Sequence, residues 1–384
     1  MTAGFFIITS IDDTKFDAIL ADAIDELTFL WADEQTTPSY CNGEMLKETV
    51  GRTCVLHLSD LHFGDDYGFR MQCDDVLLGD SRKTLTDCLV ADLERLGLNN
   101  KIAVIIVTGD FVTRGNFSDS VKKAALDEFS ALRSRLNLDL DQIIAVPGNH
   151  DVVRYPQNGM IDLRENAIGM QTRYEHETAF RTFVDELVGR DWKEPLNYSR
   201  RIRLGKIDLD ICVVNSCTIT ATEWTEYGYV GHSGLDAIQD LEKNSIDRPT
   251  YRFLALHHHL LPVANVEALN SKGVTLTLNA SEILSASQKS GVHVALHGHQ
   301  HKPKIAMYQN LGLNGDATHN PIFVVANGSS SAGNTRLPAG ERNTYGLFIL
   351  TENAIEVRIR ELRLDGQQGM ETFAQSLSAP PLTK

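Results

Sequence analysis

The chain has 384 residues, enough for one large domain or two small ones, and 42% of them are apolar, so a sizeable core can form. Asp and Glu outnumber Lys and Arg 51 to 36, a formal charge of −15. Duplex nucleic acid is held largely through Lys and Arg on phosphates, so this balance disfavours a broad nucleic-acid surface.

Residues 1–50 read as an N-terminal extension. Asp13 to Trp31 places Phe16, Ile19, Leu20, Ala23, Ile24, Leu27, Leu30 and Trp31 at helical spacing opposite Asp17, Asp22, Asp25 and Glu26. Packing on the main domain is one use of that amphipathic helix, and homo-oligomer or partner docking is the other. Thr36–Asn42 reads as a linker. From residue 51 to residue 364 the pattern is that of a single domain. Buried strands are expected at Thr53–Ser59, Ile102–Thr108 and Ile143–Val146, with helices at Arg82–Leu96 and Ser118–Leu136 between them. Such alternation, with nearly continuous apolar strands, predicts a parallel sheet covered by helices.

Residues 152–200 interrupt the pattern as a cap-like insertion with a helix at Thr172–Val188. Its Tyr155, Tyr174, Trp192 and Tyr198, with Arg154 and Arg164, could stack a base or simply pack the insertion. Strands resume at Ile207–Asn215, Arg252–Leu256 and Val292–Leu296, with helices near Gly234–Lys243 and Ser281–Ser290. Ile305–Tyr308, Ile322–Ala326, Tyr345–Leu350 and Ile355–Glu361 then follow strand after strand, which suggests antiparallel pairing. Residues 365–384 form a polar tail expected to lack structure. The architecture that accommodates both halves is α/β (α+β): two mixed sheets face to face with helices outside, a four-layer αββα sandwich.

Five short segments carry hard oxygen donors and imidazoles: Asp60-Leu61-His62, Gly109-Asp110, Gly148-Asn149-His150-Asp151, His257-His258-His259 and Gly298-His299-Gln300-His301. Four of them directly follow an apolar run, which places them at strand carboxyl ends, where such sheets collect their ligands. Asp60 and His62, like His299 and His301, stand two apart, so strand alternation would point each pair one way. One such pair is a weak signal, but five elements converging on a sheet edge make a site for two divalent metals. A site of that kind implies attack of a metal-bound hydroxide on a phosphorus ester. His57 and His293, inside expected strands, read as core residues. His297 reads as support for its neighbours, and Asn327–Ser331 as a loop bordering the pocket.

The order D-x-H, G-D, G-N-H-D, H-H, G-H-x-H resembles that of the calcineurin-like metallophosphoesterases, over about residues 53 to 362. It is most similar to the bacterial cyclic-nucleotide phosphodiesterase type, which opens L-S-D-L-H-F-G as Leu58–Gly64 does here. The resemblance implies that Asp60, His62 and His301 bind one metal and Asn149, His257 and His299 the second, with Asp110 bridging. Mixed oxygen and nitrogen shells suit two divalent ions of Mn, Fe or Zn. It also implies that His150 faces the phosphate as acid or as a stabiliser of the transition state. Asp151 would either hold the His150 ring or serve as a structural carboxylate.

Arg114 resembles the phosphate-contacting arginine of the protein-phosphatase branch, with a surface ion pair as the alternative. That branch itself is disfavoured, because it carries Glu after G-N-H and lacks G-H-x-H. His258 joins Arg114 as a candidate substrate contact. The family often has prolines after its two histidines, whereas here His259, Leu260 and Leu261 precede Pro262.

The expected activity is hydrolysis of a small phosphodiester, a cyclic nucleotide or another small nucleotide or glycerol-type diester. A nuclease of the same fold is one rival and a non-catalytic scaffold another; retention of all seven donors and His150 speaks against the scaffold. No apolar run approaches the roughly 20 residues that a membrane span needs. Met1–Ser10 lacks the basic start of a signal peptide. The six cysteines (Cys41, Cys54, Cys73, Cys88, Cys212 and Cys217) show no C-x-x-C spacing and read as buried thiols in a cytoplasmic protein.

Overall fold

Ile102–Val107 is apolar at every position, as suits a strand covered on both faces. In the structure, a computed structural model, all of these residues are buried. The structure describes residues 45–46, 51–72, 80–153, 177–189, 196–219, 226–263, 276–310, 320–377 and 379–383. The expected helix Asp13–Trp31, Cys41 and Cys73, and most of the insertion with Tyr155, Tyr174, Trp192, Arg154 and Arg164 lie outside them.

The strands are β1 (Met45–Leu46), β2 (Cys54–Leu58), β3 (Ile102–Thr108), β4 (Ile143–Val146), β5 (Tyr198–Leu204), β6 (Ile207–Val213) and β7 (Thr250–Ala255). They continue with β8 (Val294–His297), β9 (Lys304–Tyr308), β10 (Ile322–Ala326), β11 (Thr344–Leu350), β12 (Ile355–Glu361) and β13 (Glu371–Leu377). One sheet has the order β13-β12-β11-β2-β3-β4 and the other β1-β5-β6-β7-β8-β10-β9. In the first, β2, β3 and β4 run parallel while β11, β12 and β13 pair antiparallel. In the second, β6, β7, β8 and β10 are parallel, flanked by antiparallel β5 and β9.

The sheets meet through a core that joins Val55, Val104, Ile106 and Phe348 to Leu209, Ile211, Phe253 and Leu296. Outside the first sheet lie α1 (Leu85–Arg95), α2 (Asp119–Leu136) and α3 (Thr178–Val188). Their Leu89, Leu93, Phe129, Leu132 and Phe183 cover Leu56, Leu58, Ile105 and Val107. The Thr84 side chain caps α1 by accepting from Asp87 N, and α2 stops at Asn137 in the left-handed region. On the second sheet, α4 (His232–Asp240) buries Leu235 and Ile238, and α5 (Ala280–Lys289) buries Ile283 and Leu284. Four layers, αββα, result.

Two elements depart from the sequence reading. No strand was expected between residue 152 and Ile207, yet β5 occupies Tyr198–Leu204, and its Tyr198 is buried in the core between the sheets rather than available to stack a base. The C-terminal tail is not without structure: Glu371–Leu377 adds an edge strand to β12. Among the described residues, no helix is long and apolar enough to cross a membrane.

Candidate metal centre

β2, β3 and β4 are neighbours in one sheet and β7 and β8 neighbours in the other. Their carboxyl ends therefore deliver all five donor segments to one place. The loops after β2 and β3 run side by side, with Asp60 N donating to Gly109 O (3.0 Å) and His62 N to Asp110 O (2.9 Å). Across the other sheet Gly298 N donates to His257 O (3.1 Å).

Five of the seven candidate donors (Asp60, His62, Asp110, His299 and His301) have φ between 52° and 80°. L-residues rarely adopt this region, and strain of this kind persists only where surroundings impose it. Two glycines show why the motifs carry them. A Cβ on Gly148 would collide with Asp110 Oδ1, and one on Gly298 with Ser59 Oγ and Asp60 Oδ2.

The donors form two groups. Asp60, His62, Asp110 and His301 each offer one atom, all within 4.8 Å of one another. His62 Nε2 lies 2.9 Å from His301 Nε2 and 3.8 Å from Asp110 Oδ2, and His301 Nε2 lies 3.4 Å from Asp60 Oδ1. In the second group Asn149 Oδ1 is 3.0 Å from His257 Nε2 and 3.2 Å from His299 Nδ1, with 3.2 Å between the two nitrogens. Asp110 Oδ1 lies 3.5 Å from His257 Nε2. One oxygen of Asp110 thus faces each group.

Ring tautomers test whether cations fit. Backbone carbonyls only accept, so His257 Nδ1–H donates to Thr108 O (2.7 Å), His299 Nε2–H to Glu226 O (3.0 Å) and His301 Nδ1–H to Arg336 O (3.0 Å). In the neutral rings this leaves lone pairs on the nitrogens that face the cluster, the orientation that outer partners impose on metal-binding imidazoles. Lone pairs gathered this closely repel unless a cation or proton lies among them. With metal–donor bonds of about 2.0–2.2 Å, donors around one ion stand roughly 3.0–3.4 Å apart, which matches the closest spacings here. The residues fit two metal ions.

The electrostatics are those of a buried, charge-dense site. Burial acts to raise the Asp60 carboxyl, but His301, His257 and His62 outweigh it and hold it far below the usual range. Burial, then the charge on His301, pushes His62 down to about 3. Burial lowers His299, assisted by His258, His257 and His259. His301 is raised, because Asp60 overrides the effect of burial.

His150 stands beside the centre, half-buried, with its ring edge-on to His62 at 5.3 Å between centroids. Its backbone N–H donates to Asp110 Oδ1 (2.8 Å), and its Nδ1 accepts from Arg114 N (3.1 Å), which leaves the proton of the neutral ring on Nε2. Asp151 does not reach that ring nitrogen. Its Oδ1 accepts from Val112 N (3.1 Å) and its Oδ2 from Gly148 N (2.9 Å), tying the β3 and β4 loops together. Burial, then the neighbouring Asp110 charge, pushes Asp151 up to about 8.

Arg114 is exposed and lines a polar cleft of about 580 Å³ with Asp65, Asp66, Thr113 and Arg336. Arg336 pairs with Asp66 at 2.7 Å, and its carbonyl holds His301. His258, by contrast, is fully buried with Ser216 Oγ at 2.9 Å from its Nδ1, and its ring centroid lies 4.5 Å from that of His299. His259 and His297 are buried behind it, their centroids 5.8 Å apart.

The loop Asn327–Ser331, expected to border the pocket, instead holds the donors from beneath. Asn327 and Ser329–Ser331 do not border an open pocket. They are buried beneath the Asp60 loop, where Ser329 Oγ donates to Asp60 O (2.6 Å) and Ser331 Oγ to Leu61 O (2.7 Å). A run of three serines at the end of an apolar strand was the available signal.

A sequence model of the family described as calcineurin-like phosphoesterase matches residues 54–303, well over half of the chain. The chain belongs to the calcineurin-like phosphoesterase family. It is therefore a metal-dependent phosphoric ester hydrolase by family, and the donor cluster lies within the matched region. No curated protein matches the sequence.

Among solved structures, a dimetal phosphatase from Danio rerio is similar at 11% identity and a TM-score of 0.46, covering 85% of this chain and 99% of that one. A purple acid phosphatase from yellow lupin (Lupinus luteus) seeds is similar at 12% identity and a TM-score of 0.49, over 85% of this chain and 54% of that one. A putative 5'-nucleotidase from Staphylococcus aureus gives 13% identity and a TM-score of 0.42, over 86% and 55%.

Proposed function

We propose that this calcineurin-like phosphoesterase hydrolyses a small phosphodiester, a cyclic nucleotide or another small nucleotide or glycerol-type diester. The observation that carries the reading is the division of six candidate donors into two groups on either side of a seventh, Asp110, with the His150 ring alongside. The first group would be Asp60, His62 and His301, the second Asn149, His257 and His299, and Asp110 would serve both. Their mixed oxygen and nitrogen shells suit Mn, Fe or Zn. When bound, such ions supply an activated water and charge stabilisation at the phosphoryl oxygens.

The chain's own residues do the rest. Asp110 accepts the His150 N–H and so couples the donor loops to the acid. To act as acid, His150 would take up a second proton at Nδ1 in place of the Arg114 N–H bond and give its Nε2 proton to the leaving oxygen, returning to a neutral ring. Asp151 keeps the Gly148 turn closed against Asp110. The cleft lined by Arg114, whose backbone N–H binds His150, would take the second ester substituent. The four described cysteines are free and buried, which supports a cytoplasmic setting.

The test is hydrolysis of bis(p-nitrophenyl) phosphate against p-nitrophenyl phosphate by protein loaded with Mn²⁺. Cleavage of the diester in preference to the monoester, lost in Asp110→Ala, is expected. Preference for the monoester would replace the diesterase reading with a phosphatase, and no hydrolysis of either would end both.

A further inference from the structure

Behind Asp60 three residues outside the donor set form one hydrogen-bonded line: His57, Thr108 and Ser59. His57 Nε2 is 2.8 Å from Thr108 Oγ1, Thr108 Oγ1 is 2.9 Å from Ser59 Oγ, and Ser59 Oγ is 2.6 Å from Asp60 Oδ2. All four residues are fully buried. The direction of the line follows from proton counting. Ser59 Oγ has two acceptors in reach, Asp60 Oδ2 at 2.6 Å and Thr108 O at 3.2 Å, and the nearer, ionised carboxylate, which only accepts, takes its single hydroxyl proton. Ser59 Oγ must then accept from Thr108, and Thr108, its own proton spent, accepts from His57 Nε2–H. The other ring nitrogen of His57, Nδ1, is buried with no hydrogen-bond partner.

The effect is felt at Asp60. The His299 N–H is shared between Oδ1 (3.1 Å) and Oδ2 (3.0 Å), so it is Ser59 Oγ–H on Oδ2 that distinguishes the two oxygens, and Oδ1 is the one 3.4 Å from His301 Nε2. We infer that the His57–Thr108–Ser59 line is a positioning device that holds Asp60 Oδ2 as a hydrogen-bond acceptor and presents Oδ1 alone to the first metal position. The inference rests on the two-metal reading above.

Thr108 supplies an internal control, because it serves the second donor group by a different atom. Its backbone carbonyl, not its hydroxyl, accepts from His257 Nδ1–H. A side-chain change at Thr108 therefore reaches one metal position and leaves the orientation of His257 intact.

The experiment is Mn²⁺ binding to the full chain by titration calorimetry, independent of turnover. Wild type should bind two ions. In Ser59→Ala and in Thr108→Val, affinity for one ion should fall by about 10- to 100-fold, the usual cost of losing an outer partner of a metal ligand. The second ion should be unaffected, and Thr108→Ser, which keeps the hydroxyl, should behave as wild type. In a His301→Ala background, Ser59→Ala should change the remaining ion not at all. Unchanged binding in both variants, equal weakening of both ions, or a Thr108→Ser variant as weak as Thr108→Val would overturn the inference. Absence of Mn²⁺ binding in wild type would remove the two-metal reading and this inference together. Tight binding of two ions without phosphoester hydrolysis would leave the positioning line standing and remove only the catalytic reading.

Discussion

His62 and His301 turn their Nε2 atoms toward each other across 2.9 Å. Only the second ring has its far nitrogen engaged by a carbonyl, that of Arg336. Asp60 raises His301, while burial and the charge on His301 push His62 down to about 3. Without metal, His301 is therefore the ring of the pair that takes a proton first. A cation at the first position must displace that proton. Apparent metal affinity there should fall by up to about tenfold per pH unit once the pH drops below the His301 value, with release of about one proton per protein. Calorimetric titration with Mn²⁺ at pH 8 and pH 6, in two buffers of different ionisation enthalpy, measures both quantities. Affinity independent of pH, with no proton released, would show that the pair is not protonated.

His150 gives a second prediction. Asparagine in its place keeps the backbone N–H to Asp110 and an acceptor for Arg114 N–H, but has no proton to transfer. His150→Asn should retain two bound ions and lose about 10²–10⁴-fold in kcat on an ester with an alkoxide leaving group. The loss should be much smaller with p-nitrophenolate, which leaves without protonation. Equal losses on both leaving groups, or loss of a metal ion, would take the acid role away from His150.

The candidate donor segments were legible because most sit at an abrupt boundary, where an apolar strand ends in Gly, Asp, Asn or His. The strands β3, β4, β10 and β12 were readable to the residue for the same reason. β5 was not, because its half-buried alternate positions include Arg201 and Arg203. Their charges are met by Asp210 and Asp208 on β6, pairings that only the folded register reveals. β13 carries an exposed polar face and is held as an edge strand by β12. The role of the supports beneath the donors was invisible for another reason. Ser59 and Thr108 are ordinary polar residues inside or beside apolar strands, and Ser329 and Ser331, though placed in a pocket loop, have partners about 270 positions away that only the fold brings near.

Close packing at Gly148 yields a third prediction. A Cβ there would collide with the Asp110 carboxylate that faces both donor groups. Relief requires moving Asp110, the Gly148 turn, or both, and overpacking of this kind typically costs about 1–3 kcal/mol. Gly148→Ala should fold with a lowered melting temperature by circular dichroism and bind Mn²⁺ more weakly at both positions. Selective loss at one position would mean that Asp110 does not serve the two together.

Acid stability tests a histidine away from the donors. His293 is buried against Tyr251, its Nδ1 accepting from Arg252 N (3.0 Å) and its Nε2–H donating to Pro380 O (3.0 Å). Burial lowers it to about 4. A folded-state value below the unfolded one means that the unfolded chain binds the extra proton. The stability is thus fully present above pH 6.5 and is lost as pH falls from there toward 4. Between pH 7 and pH 5 this one ring should remove about 2 kcal/mol of unfolding free energy. His293→Gln can keep both hydrogen bonds but cannot take the proton. Urea unfolding at the two pH values, with metal content held constant, should therefore show a smaller acid loss for the variant by about that amount. Parallel losses in the two proteins would mean that His293 is already protonated in the native state or free to leave its site.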